Sequence, residues 1–357
     1  MSLRILITGG AGFVGSSLSL MFKRDNPKAE VIALDNLHRH GSELNLGRLA
    51  DAGVVFHRGD VRRREDIEAV GRVDLLVECS AEPSVHAGYD DDPQYLIGTN
   101  LDGAVNCLEY ARRHGADLVF ISTSRVYPIA RLRDIPLERS GDRLAVVAGA
   151  SGPGWSERGI SEAFPLGGGR SLYGATKLCA ELLIEEYGDM YGVRAVVDRC
   201  GVLSGPWQMG RVDQGFIALW LANHLYDGSL AYIGFGGEGL QVRDILHVAD
   251  LYDLLVLQIA DLDGQAGRVY NVGGGDAISV SLRELTDHCA DLTGRRLDIA
   301  SIDETRAADV PYYVSDTAAI TAATGWTPTR SVADILGDIH AWLNDHRDIV
   351  EPVLMAR

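Results

Sequence analysis

A tyrosine and a lysine stand four residues apart in the stretch YGATK, as Tyr173 and Lys177. Within a helix, that spacing places both side chains on one face. A free phenol has a pKa of about 10, so only ~0.1 % of it is phenolate at neutral pH. An ammonium at about 4 Å can favour the phenolate by up to ~4 kcal/mol, and desolvation removes part of that gain. The pair can therefore act as a general base, although an ordinary amphipathic helix can carry the same spacing.

Three hydroxyl residues lie upstream, where the apolar run LVFI is followed by Ser122, Thr123 and Ser124. The run predicts a buried strand, so the hydroxyls stand where that strand ends. Arg125 comes next, and no acid follows Thr123 directly. The sequence therefore offers hydroxyl hydrogen-bonding groups at the carboxyl end of a strand.

The stretch TGGAGFVG carries Gly9, Gly12 and Gly15 between a predicted strand and a predicted helix. Glycines at this spacing let the backbone approach a pyrophosphate, and the helix N-terminus offers free N–H groups to it. Asp35 closes the second strand and can accept hydrogen bonds from an adenosine ribose. Because a carboxylate repels a 2′-phosphate, NAD is favoured over NADP. The nearby Arg39 is a mild indication of the opposite preference. A tight turn followed by a capping aspartate is the structural alternative.

The elements that must hold these residues alternate between strand and helix. Apolar strands are predicted in the stretches 3–8, 29–36, 54–61, 73–81 and 116–123, and Asp60, near the end of the third stretch, lies on the same rim as Asp35. This alternation predicts an α/β fold, a Rossmann-like doubly wound parallel sheet with a smaller C-terminal substrate-binding lobe. We expect the NAD-binding domain to comprise residues 1–200 plus about 240–275, and the substrate lobe 201–239 plus 276–345.

The segment 128–170 interrupts the alternation. It is rich in glycine and proline and shows no sustained periodicity. A long insertion of this kind in a compact domain is usually functional, so we expect a lid or a substrate loop. The alternative is a surface loop without order.

The bulk composition narrows the range of partners. The 357 residues carry a formal net charge of -17, which disfavours nucleic acid and anionic membrane surfaces as partners. The five cysteines are widely spaced, and together with a start that enters a strand directly they predict a cytoplasmic protein with reduced thiols. The ten histidines lack metal-site spacing, so no metal is expected.

The glycine turn, the hydroxyl four before Tyr127, and the later tyrosine and lysine together resemble the extended short-chain dehydrogenase/reductase superfamily. The chain looks more narrowly like an NAD-dependent nucleotide-sugar epimerase, and within that group like the 2-epimerases of CDP-paratose and CDP-tyvelose. Late stretches fit the likeness: LQVRDILHVADL (240–251), RAAD (306–309) and WQMGRVDQGFIALW (207–220). The resemblance also implies a homodimer.

The resemblance implies a mechanism. Tyr173 takes the proton of a sugar hydroxyl while the sugar carbon gives hydride to a tightly bound, recycled NAD; Thr123 bonds the same oxygen and Lys177 holds the nicotinamide ribose. Hydride then returns to the opposite face. The implied cofactor contacts are Gly9, Gly12, Phe13, Val14, Gly15, Asp35, Asn36, Arg39, Asp60, Val61, Ser80, Ala81, Glu82, Asn100, Tyr173, Lys177 and Arg199. The implied contacts to the nucleotide-diphosphate sugar are Ser124, Gln208, Gln214, Arg243, Arg306 and Asp309.

Departures from the family pattern bear on the reaction. Glu78 to Glu82 read ECSAE where relatives usually carry H-x-A-A-Q, and Glu82 beside a nicotinamide would alter the local field. Dehydratases and decarboxylases of this fold place an acid after the threonine, where this chain has Ser124 and Arg125. The alternatives to a 2-epimerase are a 4-epimerase, a 4,6-dehydratase or reductase, and a non-catalytic NAD-binding regulator.

Overall fold

The computed structural model describes residues 3–89, 92–210 and 214–355. Its strands are β1 (Arg4–Thr8), β2 (Glu30–Asp35), β3 (Val55–Arg58), β4 (Leu75–Glu78), β5 (Asp117–Thr123), β6 (Leu137–Ser140), β7 (Arg143–Val146), β8 (Trp155–Ser156), β9 (Gly159–Ile160), β10 (Ala195–Cys200), β11 (Val202–Ser204), β12 (Ala231–Ile233), β13 (Val242–His247), β14 (Arg268–Val272), β15 (Ser279–Ser281), β16 (Ala300–Ile302) and β17 (Tyr312–Tyr313). Its helices are α1 (Phe13–Asp25), α2 (Leu46–Asp51), α3 (Arg64–Glu68), α4 (Gln94–Ile97), α5 (Gly103–His114), α6 (Ile129–Arg133), α7 (Leu172–Tyr191), α8 (Phe216–Tyr226), α9 (Val248–Ala260), α10 (Leu262–Gln265), α11 (Leu282–Thr293), α12 (Ala318–Thr324), α13 (Val332–Asp345) and α14 (Arg347–Leu354).

The chain forms two compact units. Unit 1 comprises Met1–Val126, Ser171–Arg199 and Leu251–Tyr270, and unit 2 comprises Tyr127–Arg170, Cys200–Asp250 and Asn271–Arg357. Each unit therefore draws on several separate stretches of the chain.

A seven-stranded sheet, in the order β14-β10-β5-β4-β1-β2-β3, is the frame of unit 1. The pairs from β3 through β2, β1 and β4 to β5 are parallel. Strands β2 and β3 are added on one side of β1, and β4 and β5 on the other, so the strand order reverses at β1. In α/β sheets such a switch point binds ligands at the carboxyl ends of the strands. The predicted Rossmann-like doubly wound sheet is confirmed.

Short apolar strands and capped helices explain why this sheet forms. The four residues after Arg4 in β1 are all buried, as expected for a strand covered on both faces. Helix α5 ends at Gly115 in the left-handed conformation (φ +64°), where glycine carries no Cβ penalty. Helix α7 begins after Ser171, whose hydroxyl accepts a hydrogen bond from the N–H of Gly174 at 3.3 Å. The Ser171 cap fixes where α7, the helix that carries Tyr173 and Lys177, begins.

Unit 2 has a second sheet in the order β11-β13-β15, with β17 paired to β13. The insertion 128–170 belongs to this unit and contains α6 and two antiparallel hairpins, β6-β7 and β8-β9. The Ile160 N–H donates to the carbonyl of Val314 at 2.8 Å, so the insertion is tied to the rest of the unit. The alternative of a surface loop without order is wrong, because the segment forms a helix and strands. These elements are only two to five residues long, so they leave no periodic pattern in the sequence.

Among the described residues, no helix combines the length and the apolar character that crossing a membrane requires.

Candidate active site

The glycine turn joins β1 to α1 in a backbone path that excludes side chains. Gly9 has φ +61°, and a Cβ on Gly15 would lie 2.2 Å from the carbonyl oxygen of Gly9. Gly12 precedes the helix and provides no side-chain cap for it. The first-turn amides of α1, at Phe13, Val14 and Gly15, therefore remain uncapped by any side chain at position 12, which leaves this end of the helix suited to an anion.

Asp35 ends β2 beside that turn. One carboxylate oxygen accepts from the N–H of Ala11 at 3.1 Å, and the other accepts from the N–H of Leu37 at 2.7 Å. Burial raises the pKa of Asp35, while these backbone hydrogen bonds lower it, and the net direction is upward. The carboxylate thus fixes the glycine turn from the neighbouring strand and has lone pairs left for a ligand hydroxyl.

A polar and aromatic cluster follows on the same side of the sheet. The amide of Asn36 donates to Asp60 at 3.1 Å, and Arg62 pairs with Asp60 at 2.6 Å. Burial opposes ionisation of Asp60, but the bonds from Arg62 and Asn36 lower its pKa to about 2. The guanidinium of Arg62 also lies 4.6 Å from the ring centre of Tyr95. No motif pointed to Arg62 or Tyr95, because the two lie far apart in the sequence.

The predicted residues Val61 and Asn100 are buried and hold backbone in place. A Cβ on Gly103 would lie 2.7 Å from Val61, so α5 packs closely on it. The side-chain amide of Asn100 accepts from the N–H of Glu82 at 2.7 Å and donates to its carbonyl at 3.1 Å. The structure therefore has Asn100 fixing the segment after β4, which contains Ser80, Ala81 and Glu82. Arg39, the remaining predicted residue of this rim, is half-buried after β2.

Helix α7 carries Tyr173, which is half-buried, and Lys177, which is buried, in its first two turns. The ammonium of Lys177 donates to the carbonyl of Ile121 at 3.0 Å, next to Thr123 at the end of β5. It lies 4.4 Å from the ring centre of Phe120. The three predicted catalytic residues thus belong to unit 1, and Lys177 reaches the strand that ends in Thr123.

Glu78 is the partner of Lys177 that sequence reasoning did not identify. Its Oε2 lies 3.4 Å from Nζ of Lys177, and each side chain is only 2 % exposed. Burial lowers the pKa of Lys177, but the charge of Glu78, the nearby Tyr173 and the hydrogen bond to Glu78 together more than offset this, so the pKa is raised. We expected Glu82 to be the acid that alters the field; the acid in contact with the predicted site is Glu78. The replacement of the family histidine was the signal that could have found it.

Thr123 is buried, and its hydroxyl accepts from the N–H of Arg125 at 3.2 Å. Residues Ser124–Val126 form a short 3-10 turn directly after β5. Ser124 and Arg125 are half-buried in that turn. The hydroxyl of Thr123 is therefore oriented by the backbone that follows it.

Arg199, a predicted cofactor residue, contacts Glu181 of α7. Its Nη2 lies 2.7 Å from Oε2 of Glu181, with both side chains buried. The hydroxyl of Ser122 donates to the other oxygen of the same carboxylate. Arg199 therefore links β10 to helix α7, and its contact to the cofactor stays a prediction.

The predicted substrate residues lie in unit 2. Gln208 donates to the carbonyl of Leu203 at 2.8 Å, while its own Oε1 and that of Gln214 are buried without a hydrogen-bond partner in the described part of the chain. Residues 211–213 of the stretch 207–220 lie outside the described residues. Buried amide oxygens without partners are costly, and a polar ligand would satisfy them.

Arg243, Arg306 and Asp309 belong to one neighbourhood of unit 2. The guanidinium of Arg243 donates to the carbonyl of Val310 at 2.6 Å. Arg133 of the insertion donates to the carbonyls of Arg306 at 3.0 Å and Asp309 at 2.7 Å. The insertion thus shapes the turn that presents Arg306, a role for Arg133 that the sequence did not reveal.

Unit 1 has the features that NAD requires of a protein. The glycine turn leaves no room for a Cβ at position 15, and the carboxylate of Asp35 lies beside the turn. The amides of Phe13, Val14 and Gly15 would hold the pyrophosphate, and Asp35 the adenosine ribose. Lys177 and Tyr173 would hold the nicotinamide end.

Comparisons with known proteins agree with these features. The model of the NAD dependent epimerase/dehydratase family matches residues 5–273. The chain is 28 % identical to CDP-paratose 2-epimerase of Salmonella typhi, over 95 % of this chain and 99 % of that protein. It is 32 % identical to dTDP-glucose 4,6-dehydratase of Mycobacterium tuberculosis, over 84 % of each chain. The crystal structure of DesIV, a dTDP-glucose 4,6-dehydratase of Streptomyces venezuelae with NAD bound, matches with a TM-score of 0.79 at 29 % identity, over 98 % of this chain and 100 % of that chain. The chain belongs to the NAD-dependent epimerase/dehydratase family.

Proposed function

We propose that this protein is an NAD-dependent nucleotide-sugar epimerase that inverts C2 of a CDP-linked hexose. The proposal combines three features: the Thr123, Tyr173 and Lys177 set in unit 1, the residues after Thr123, and the similarity to CDP-paratose 2-epimerase. The choice of C2 and of a CDP-sugar rests on that similarity and on the stretch 207–220.

The turn after Thr123 is the observation that carries the reaction type. Elimination of water from a sugar needs a general acid to protonate the departing hydroxyl. The two positions after Thr123 hold Ser124 and Arg125, neither of which can shuttle a proton at neutral pH. The nearby carboxylate of Glu78 is buried against Lys177. An oxidation that is reversed by return of the same hydride needs no such acid.

The residues of unit 1 then have defined roles. Tyr173 accepts the proton of the sugar hydroxyl through its phenol oxygen and returns it after inversion. Thr123 hydrogen-bonds the same sugar oxygen and orients it. The positive charge of Lys177 favours the phenolate of Tyr173. Bound NAD supplies a hydride acceptor and donor, so no external redox partner is needed.

The polar groups of unit 2 support a nucleotide diphosphate as ligand. Arg243 and Arg306 carry the charges that a diphosphate would pair with, in a protein whose net charge is -17. The buried side-chain oxygens of Gln208 and Gln214, which have no hydrogen-bond partner among the residues that the structure describes, would accept from hydroxyl or amino groups of the nucleotide sugar. We assign these four residues to substrate binding, with Asp309 and Ser124 as further contacts.

A 4,6-dehydratase is the second candidate, because the chain is 32 % identical to such an enzyme. It would use the same tyrosine and lysine for the oxidation step, so the reaction product distinguishes the two. A dehydratase releases water and gives a 4-keto-6-deoxy sugar, whereas an epimerase conserves every atom of its substrate.

Purified protein should contain bound NAD and should interconvert CDP-paratose and CDP-tyvelose without added cofactor. Proton NMR of incubations with these sugars and with UDP-hexoses gives the product directly. Tyr173→Phe should abolish turnover and retain NAD, because the phenol oxygen is the base and the ring is only one of many cofactor contacts. A product that has lost water, inversion at C4, or an active Tyr173→Phe variant would contradict the proposal.

A further inference from the structure

A carboxylate and an ammonium are buried together below the predicted catalytic tyrosine. Glu78 ends β4, Lys177 lies in the second turn of α7, and the two charged atoms are 3.4 Å apart. Removing two charges from water costs several kcal/mol per ion, which only a close counter-charge and further hydrogen bonds can offset. The groups around the pair must therefore offset the cost of burying its two charges.

The surroundings of Glu78 come from five elements of unit 1. On β1 and after β4, the hydroxyl of Thr8 lies 3.5 Å from Oε1, and Ser80 donates to the same oxygen. The titratable groups that face it are Lys177 of α7, Cys79 at its own strand end and Cys107 of α5. Burial raises the pKa of both thiols and the charge of Glu78 raises it further, so both are neutral. Strand β5 contributes the carbonyl of Ile121 and the ring of Phe120 to the ammonium.

We propose that Glu78 is a positioning residue: its carboxylate is the counter-ion that keeps Lys177 protonated and aimed at the end of β5, where a neutral lysine could not support the tyrosine. This inference rests on the proposed function for its catalytic meaning. Lys177 is the sole cation in contact with Glu78 among the described residues, so the two charges are tied to each other.

The direction of the effect follows from the balance of burial and charge. Burial favours the neutral amine, and the carboxylate favours the ammonium. Replacing Glu78 by glutamine keeps the shape and the hydrogen bonds from Thr8 and Ser80, but removes the negative charge. Lys177 should then lose its proton at lower pH, because the charge that favours its ammonium form is gone.

The protonation of Lys177 can be measured without substrate, because the chain has only three lysines, Lys23, Lys28 and Lys177. Protein labelled with lysine isotopically enriched at Cε, with its NAD content measured, should give three ε-carbon NMR signals. Single Lys23→Arg and Lys28→Arg variants assign two of them, and the third belongs to Lys177. In Glu78→Gln the midpoint of the Lys177 signal should move to lower pH, while Lys23 in α1 and the exposed Lys28 after α1 serve as internal controls.

Glu78→Asp keeps the charge and should retain most of the wild-type midpoint, which separates loss of charge from loss of packing. If Glu78→Gln fails to fold, the same comparison between Glu78→Asp and the wild type still applies, with a smaller downward movement expected from the longer distance. Lys177 midpoints that are equal in wild type and Glu78→Gln would overturn the proposal. With an active preparation, the alkaline limb of kcat/KM should move to lower pH as well. A shifted NMR midpoint without turnover of any nucleotide sugar would refute the proposed function and leave the role of Glu78 standing.

Discussion

Arg199 and Glu181 form a buried, two-point contact that fixes helix α7 to the central sheet. Nη2 and Nε of Arg199 lie 2.7 Å and 3.0 Å from Oε2 of Glu181, and the side chains are 6 % and 4 % exposed. Glu181 follows Lys177 by one helical turn on α7, and Ser122 of β5 donates to the same carboxylate. The position of Lys177 is therefore set from two strands of the sheet at once.

Removing one charge of this pair should destabilise the protein strongly. Glu181→Gln removes the carboxylate that pairs with the buried guanidinium of Arg199 at 2.7 Å, and we expect a loss of about 3 kcal/mol or more in the free energy of unfolding. The double variant Glu181→Met with Arg199→Met should lose less, because it removes both charges of the pair together. Urea denaturation followed by circular dichroism measures both.

The matched control is the exposed pair of Arg347 and Glu351, which has the same 2.7 Å separation with side chains 56 % and 34 % exposed. Glu351→Gln should change stability by about 0.5 kcal/mol or less. A Glu181→Gln variant as stable as Glu351→Gln would show that the buried pair does not anchor the helix.

The features that could be predicted from the sequence are those whose residues lie close together along the chain. The glycine turn, Asp35 and the Tyr173 and Lys177 spacing are local patterns, and local backbone chemistry fixes them. The partner of Lys177 could not be predicted, because Glu78 lies 99 residues away along the chain. The two meet only in the folded unit, where β4 pairs with β5 and Lys177 of α7 donates to the carbonyl of Ile121 on β5. The short hairpins of the segment 128–170 left no period for the same reason: their stability comes from contacts elsewhere in unit 2.

Asp198 makes the stability of unit 1 depend on pH. Burial raises the pKa of this carboxyl to about 7, although the amide of Gln258 donates to it at 2.8 Å and lowers it. An unfolded aspartate has a pKa of about 3.9, so the folded state binds this proton more tightly. The stability that the proton contributes is complete below about pH 4 and is lost as the pH rises through about 7, a change of about 4 kcal/mol at most.

Asp198→Asn cannot ionise, so its stability relative to wild type should rise between pH 4 and pH 8 and then level off. Melting temperatures across that range give the difference, in which the titration of every other group cancels. Asp298→Asn, the same substitution at an exposed position, is the control for removing a surface carboxyl. A constant difference for Asp198→Asn would mean that the buried carboxyl is ionised throughout.

Gly15 tests whether the close backbone path of the glycine turn is what holds the cofactor. An alanine Cβ at this position would lie 2.2 Å from the carbonyl oxygen of Gly9, so the turn must shift. We expect Gly15→Ala to lose most of its bound NAD and about 1–3 kcal/mol of stability. Gly47→Ala in α2 is the matched control, because a Cβ there meets nothing within 4 Å and the change should be neutral or stabilising by up to about 1 kcal/mol. NAD released per chain on denaturation, together with the melting temperature, measures both effects. Since the clash is with backbone and no flexible side chain can relieve it, full NAD content in Gly15→Ala would mean that the cofactor is held by the strand ends rather than by the turn.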